Sequence, residues 1–436
     1  MRADPTPDPT RAPAGRRAPG SLVPVLAATM LLDALEVSSA VVAAPVVGEE
    51  LRLPPTVLFW VVGGFAAGFA AVLPAAARLS GRFGRRRVHL GALAMFALAS
   101  AASAAADTGT WLVLGRVVKG ACVALNAPTG LAIILATVPD GPARRRAVSA
   151  YSLCGAAGFC GGLLLAGLLT GVSWRLVLAL PAPVALLLLI LAARLIPRDP
   201  SGGRDARAVS RPVGLPTLWQ YRTLVRAALT AATFNGAFVV FLLVAAWQLR
   251  HRGGWGPWRT AWVFLPTALP LASTALCSVR IALRLGPARA VAAGTLLALV
   301  GYLLFPRDAG APGSGPAVVL PTTALLGAAF VLLFTALHLR AVETVPEELR
   351  PAATTFYQTW VQAGPALLTA PAAALVTVGP DIGPALWLVT AVAAVGALPA
   401  LTGPFSPRPG ASPLSPRFRR LHDHSADLPD LRDGGR

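Results

Sequence analysis

A short basic break, Arg78-x-x-x-Arg82-x-Gly84, sits between two long apolar runs and returns in the second half of the chain as Arg280-x-x-x-Arg284-x-Gly286, again between two apolar runs. The first break follows the second apolar run and the second follows the eighth. A unit of six apolar segments is therefore present twice, and a duplicated membrane protein is the architecture this predicts.

The runs lie at roughly 22–46, 56–77, 89–107, 110–136, 147–170 and 174–196, then at roughly 222–248, 258–280, 289–306, 316–338, 352–377 and 383–403. Each is close to the ~20 residues a helix rising 1.5 Å per residue needs to cross the hydrocarbon layer. Apolar side chains make up 55% of the 436 residues and charged ones 13%, a balance that excludes a soluble core of this size. The expected fold is an all-α membrane protein of twelve transmembrane helices in two six-helix halves. Its segments are a disordered cytoplasmic tail (1–20), an N-terminal half (21–196), a cytoplasmic linker (197–221), a C-terminal half (222–403) and a second disordered tail (404–436). The first run is too long, and too lacking in a small-residue cleavage pattern, to be a cleavable signal.

Arginine placement orients the chain. With both termini in the cytoplasm, only Arg52, Arg175, Arg250, Arg252, Arg259 and Arg307 of the 38 basic residues face outward, and Arg116 and Lys119 lie within a span. The opposite orientation breaks the positive-inside rule, so a multi-pass protein of the plasma membrane with inner termini is expected. Trp60, Trp111, Trp174, Trp255, Trp258 and Trp387 then fall near outer helix ends, as interfacial belts require. The net charge of +19 is spread over inner loops without interleaved aromatics. That pattern points to anionic lipid headgroups and away from nucleic acid.

Cys122, Cys154, Cys160 and Cys277 lie inside spans without a CxxC pair and read as core residues. His89, His251, His338, His422 and His424 have no ligand spacing, so neither a metal nor a cofactor is expected. The chain carries no phosphate-binding lysine loop and no GxSxG elbow, which leaves no enzyme constellation and disfavours ATP-driven transport.

Asp33 and Glu36 are three residues apart on helix 1, and Arg116 and Lys119 three apart on helix 4. Each pair shares a helix face. Each charge costs at least ~2.5 kcal/mol at the bilayer centre. Glu36 lies about eleven residues and Lys119 about nine from the same side, so their heights agree within ~3 Å. The four are expected to meet in a polar centre, either as a static ion cluster joining two helices or as a proton-coupling site, since paired carboxyls in a low dielectric can take and release a proton near neutral pH.

On helix 11, Thr355, Gln358, Thr359 and Gln362 recur at spacings of three and four, with Tyr357 beside them. Such a stripe faces either a cavity or another helix. Asn126 on helix 4 and Asn235 on helix 7 join Tyr357, Gln358, Thr359 and Gln362 as candidate substrate-lining groups, Asn235 being equally readable as a packing device. Gly155, Gly158, Gly161 and Gly162 on helix 5 predict a close helix contact, expected at the sliding seam between the halves.

These residues resemble the major facilitator superfamily, and within it the drug:proton antiporters. The stretch from Ala77 to Leu90, ARLSGRFGRRRVHL, is similar to the GxLaDRxGRR signature between helices 2 and 3, matched at Arg82, Gly84, Arg85 and Arg86, with Ala77 in place of its first Gly and Gly81 in place of its Asp. RVVKG, from Arg116 to Gly120, resembles the helix 4 RxxQG signature with Lys119 for Gln. Gly161 and Gly162 resemble the end of the antiporter GPxxGG signature, whose Gly-Pro is here Ala157 and Gly158. Leu35-Glu36-Val37-Ser38, running on to Pro45, is similar to the helix 1 LDxT pattern.

The resemblance implies proton coupling at Asp33, Glu36, Arg116 and Lys119, and gating at Arg82, Gly84, Arg85, Arg86, Gly158, Gly161 and Gly162. It also implies a cytoplasmic gate weakened by the missing acid at Gly81. The expected activity is proton-coupled export of an apolar or amphipathic small molecule by alternating access, by a monomer whose partners are its substrate, protons and the lipid bilayer. An importer or metabolite permease of the same fold, and a non-transporting membrane sensor or scaffold, are the alternatives. The topology is directly testable: reporter fusions at residues 210 and 312 should read inside and outside respectively, and the same side for both contradicts the twelve-span orientation.

Overall fold

The computed structural model describes residues 21–198, 215–273, 284–305, 316–377 and 382–401. Both expected tails, most of the linker, Arg280 and Cys277 lie outside the described residues. The first half contains α1 (Leu22–Glu50), α2 (Pro55–Phe83), α3 (Arg85–Ala104), α4 (Gly109–Thr137), α5 (Pro142–Thr170) and α6 (Trp174–Leu195). In the second half are α7 (Arg222–Gly253), α8 (Pro257–Ser273), α9 (Pro287–Leu304), α10 (Leu320–Val342), α11 (Arg350–Thr377) and α12 (Gly383–Leu401). A single helical turn, Leu215–Leu218, falls within the predicted linker. Among the described residues, nine of the helices are long and apolar enough to cross a membrane. α11 is long enough but diluted by its Gln and Thr stripe.

Proline punctuates these helices. Pro55, Pro142, Pro257 and Pro287 open α2, α5, α8 and α9, where the missing N–H had no intrahelical partner to lose. Pro181, placed within α6, breaks its hydrogen-bond ladder at Leu180. Gly84 (φ 84°, ψ 143°) and Gly286 (φ 79°, ψ 143°) occupy the same left-handed conformation directly ahead of α3 and α9. Only glycine adopts this readily, which accounts for its place in both repeats of the basic frame.

Helix contacts carry the duplication into three dimensions. In the first half α1 packs on α5, α2 on α4, α3 on α4 and α3 on α6; advancing every number by six gives the pairs of the second half, α7 on α11, α8 on α10, α9 on α10 and α9 on α12. The seams between halves, α2 against α11 and α5 against α8, exchange under the same operation. Two equivalent units related by a pseudo-two-fold produce this pattern.

Close approaches use glycine. A Cβ on Gly120 of α4 would lie 1.9 Å from the Phe65 carbonyl oxygen of α2, and one on Gly68 of α2 would lie 2.0 Å from the Val117 carbonyl oxygen of α4. Gly158 and Gly162 bring α5 onto the Leu31 and Leu35 carbonyls of α1 at 2.3 and 2.4 Å by the same measure. The helix 5 glycine face therefore packs against α1 of its own half and not along the seam, and Gly161 points away from any neighbour within 4 Å. At the seam itself, α5 meets α8 through Gly167 against Ala261, and α2 meets α11 through Gly63 against Thr369. In lipid, small residues let helices gain the packing and interhelical contacts that hydrophobic burial cannot supply. Gly120→Val should lower thermal stability by ~1–3 kcal/mol or more, because the obstructing atom is backbone. Gly161→Ala should leave the melting temperature of the purified protein nearly unchanged; equal effects would contradict this packing.

Candidate functional site

Three of the four charges expected in the membrane meet on one atom. Glu36 Oε1 of α1 accepts from Arg116 Nη1 and from Lys119 Nζ of α4, both at 2.5 Å. Arg116 also donates through Nε to the Val61 carbonyl of α2 (2.9 Å) and through Nη1 to the Glu36 carbonyl (3.1 Å). Its guanidinium lies 4.8 Å from the Phe65 ring centre, and the Lys119 ammonium lies 5.9 Å from that of Phe96 on α3. Four helices thus enclose the cluster, and Glu36, Arg116 and Lys119 are almost wholly buried. Aromatic faces and carbonyl oxygens replace part of the hydration these cations have lost.

Asp33 stays outside this ion cluster. Neither of its carboxyl oxygens has a hydrogen-bond partner in the protein, and the same holds for Glu36 Oε2. The Asn126 amide of α4 faces it, fully buried, so Asn126 belongs to the floor of the charged centre and not to an open lining. With Asp33 ionised the two acids and two bases cancel; with Asp33 protonated the group carries one positive charge. A buried carboxyl outside any salt bridge can change protonation without breaking one.

Among the described residues, the second half shows no such charged cluster at its centre. The Asn235 amide of α7 donates to the Val361 carbonyl of α11 at 2.8 Å, which makes it an interhelical tie. Tyr357 is buried edge-on against His338 at 5.5 Å. Gln358, Thr359 and Gln362 are half-buried, and the Thr359 hydroxyl is taken up by the Thr355 carbonyl at 2.8 Å. The same half carries an aromatic row on α7 and α10: Phe238 and Phe330 are 5.6 Å apart, Phe234 and Phe330 5.7 Å, and Phe330 and Phe334 5.7 Å. Phe330 and Phe334, four apart on α10, were missed from the sequence although their spacing matches that of Phe234 and Phe238.

At the basic end of the first half, the contacts run within that half. Arg86 donates to the Ile196 and Ala193 carbonyls at the C-terminus of α6 (3.1 and 2.7 Å), and Arg85 reaches the Ala132 carbonyl of α4 (3.4 Å). A guanidinium on terminal carbonyls satisfies orphan acceptors and opposes the helix dipole. Arg82 lies over the neighbouring Phe83 ring at 5.3 Å. The described ties thus give Arg85 and Arg86 an anchoring role within the half.

The opposite end joins the halves. Arg250, near the end of α7, forks onto Glu49 at the end of α1, with Nε 2.9 and 3.0 Å from the two carboxylate oxygens and Nη2 2.7 Å from Oε2. Beside it Trp174 Nε1 donates to Glu50 at 2.7 Å, and Trp174 and Trp255 are both buried, outside the expected interfacial belt. Trp111, Trp258 and Trp387 do remain exposed. No group of His, Cys, Asp and Glu among the described residues could hold a metal ion.

Comparison with known proteins follows the same lines. The family model of the Major Facilitator Superfamily matches residues 26–369. The multidrug efflux pump LfrA of Mycolicibacterium smegmatis is 34% identical over 253 residues, covering 57% of this chain and 49% of that protein. The cephamycin export protein CmcT of Amycolatopsis lactamdurans is 36% identical over 184 residues, covering 41% and 38%. A puromycin resistance protein of Streptomyces alboniger is 37% identical over 185 residues, covering 42% and 36%. The chain spans half or less of the length of these relatives. Among solved structures, the inward-open xylose transporter XylE from E. coli superposes with a TM-score of 0.69 at 16% identity, covering 90% of this chain and 98% of that one. Twelve helices with duplicated packing, a charged centre between α1 and α4, and a family match from residue 26 to residue 369 place this chain in the major facilitator superfamily of membrane transporters.

Proposed function

We propose that the chain is a proton-coupled secondary transporter that exports an apolar or amphipathic small molecule by alternating access. The observation that carries this reading is the buried centre: Glu36 neutralised by Arg116 and Lys119, with Asp33 one helical turn away and free of any ion pair. Four ionisable groups in a membrane interior are costly to insert, and they mark ion or substrate pathways. Relatives named for drug efflux, antibiotic export and antibiotic resistance support export of small organic molecules. The basic Gly84 end is assigned to the cytoplasm by the arginine distribution, which sets the Glu49–Arg250 fork at the outer end.

In this scheme a proton taken up by Asp33 changes the charge of the centre by one unit. Glu36 is then the only anion facing two cations. Substrate binds against the half-buried polar groups of α11 and the aromatic row of α7 and α10, and the halves rock about the α2–α11 and α5–α8 seams. No covalent chemistry is involved. The work is differential binding of a proton and a substrate to two conformations.

Uptake of a panel of amphipathic compounds into inverted membrane vesicles tests this reading. At least one compound should accumulate when the lumen is acid and leak back when the pH gradient is collapsed; accumulation indifferent to the gradient contradicts it. Asp33→Asn should abolish gradient-driven uptake with membrane abundance unchanged, because no cation loses its partner. Glu36→Gln, which strands Arg116 and Lys119, should cost ~3–5 kcal/mol of stability. A Glu36→Gln protein as stable as Asp33→Asn would refute the assignment of structural and protonic roles.

A further inference from the structure

Below the charged centre, a line of buried polar groups continues toward the basic end of the first half. Asn126 faces Asp33, and both of its amide atoms lack a hydrogen-bond partner in the protein. The Thr129 hydroxyl, one turn further along α4, donates to the Leu125 carbonyl at 2.5 Å and approaches the Asn126 carbonyl at 3.1 Å. His89 of α3 is fully buried, with Nδ1 3.4 Å from Thr129 Oγ1.

With the Thr129 hydroxyl donating to the Leu125 carbonyl, its oxygen is free to accept from the ring, and we assign the imidazole proton to Nδ1 on that basis. Nε2 is left as a lone pair, buried and without a partner in the protein. That nitrogen is the atom at which the ring would accept a proton in passing. His89 lies four residues, or ~6 Å, along the helix from Arg85 at the basic end.

We propose that His89 is the proton-exit residue of the transporter, receiving the proton of Asp33 on Nε2 and releasing it to the cytoplasmic side, with Asn126 and Thr129 holding the path between them. The inference rests on proton carriage by Asp33. In the transfer the Asp33 O–H bond breaks, a water oriented by the Asn126 amide carries the proton, and an N–H bond forms at Nε2. The resulting imidazolium loses a proton to cytoplasmic water, and no electron changes owner. The titratable and charged groups around His89 are few. Arg85 and Arg86 on its own helix are turned to carbonyls of α4 and α6, Arg87 of α3 and Arg194 of α6 are exposed, Lys119 of α4 is held by Glu36, and Cys122 of α4 and Tyr151 of α5 lie near Asp33. The Tyr151 hydroxyl is committed to the Ala127 carbonyl at 2.8 Å, so it offers no competing route.

The test is proton release from purified full-length protein after an alkaline pH jump, read by a soluble pH dye in stopped flow, with no substrate needed. Wild type should release Asp33's proton rapidly, and Asp33→Asn should lack one proton of amplitude. His89→Gln should keep that proton but release it ~100-fold more slowly, the scale of a lost general base. Added imidazole should restore the rate in His89→Ala. Release by His89→Gln at the wild-type rate overturns the exit role while leaving Asp33 as carrier. Unchanged amplitude in Asp33→Asn overturns the coupling reading and this inference with it. Early melting of both His89 variants without imidazole rescue assigns His89 to structure alone and also overturns the proposal.

Discussion

A single carboxylate oxygen shared by two cations inside a membrane protein governs how the first half is built. Glu36 alone would be prohibitively placed, and so would Arg116 or Lys119. Together they are tolerated only if α1 and α4 stand at matching depth and if α2 and α3 supply the Val61 carbonyl and the rings of Phe65 and Phe96. The glycines follow from that demand. Gly120 lies one residue beyond Lys119 and lets α4 press on the Phe65 backbone, the residue whose ring covers Arg116. Electrostatics and packing therefore specify the same helix crossing.

Among the described residues, the second half repeats the frame of the first and not its charged cluster. Gly364 of α11 sits on the Ala232 carbonyl of α7 as Gly158 of α5 sits on the Leu31 carbonyl of α1. Yet the second half puts Asn235 and a row of phenylalanines where the first puts ions. The two halves differ accordingly: one buries a cluster of ionisable groups and the other presents an apolar, aromatic face. They touch through α2. Its Val61 carbonyl holds Arg116, and two residues on Gly63 packs on Thr369 of α11, so a change at the charged centre lies one helix from a seam.

Much of this was legible in the residues. Apolar runs and their bounds are local properties, as is the Gly84 and Gly286 conformation, and the equal depth of Glu36 and Lys119 follows from helical rise alone. Helix rotation is different. A spacing of three puts Asp33 and Glu36 on one face but leaves undecided which of them points at Arg116, and the separation of the two emerges only from packing. The same limit placed the helix 5 glycines at the seam, since small residues announce a close contact without naming the partner. Contacts such as Glu49 with Arg250 bring together groups 201 positions apart on two different helices, which no local pattern encodes.

The central claim is that Asp33, and not the ion cluster beside it, is the group that changes protonation. Infrared spectroscopy of the reconstituted protein across a pH titration addresses that claim most directly, through the stretch of a protonated carboxyl group. The account predicts a protonated-carboxyl band that titrates in the wild type, disappears in Asp33→Asn and persists in Lys119→Met. A titrating band that survives Asp33→Asn unchanged would contradict it.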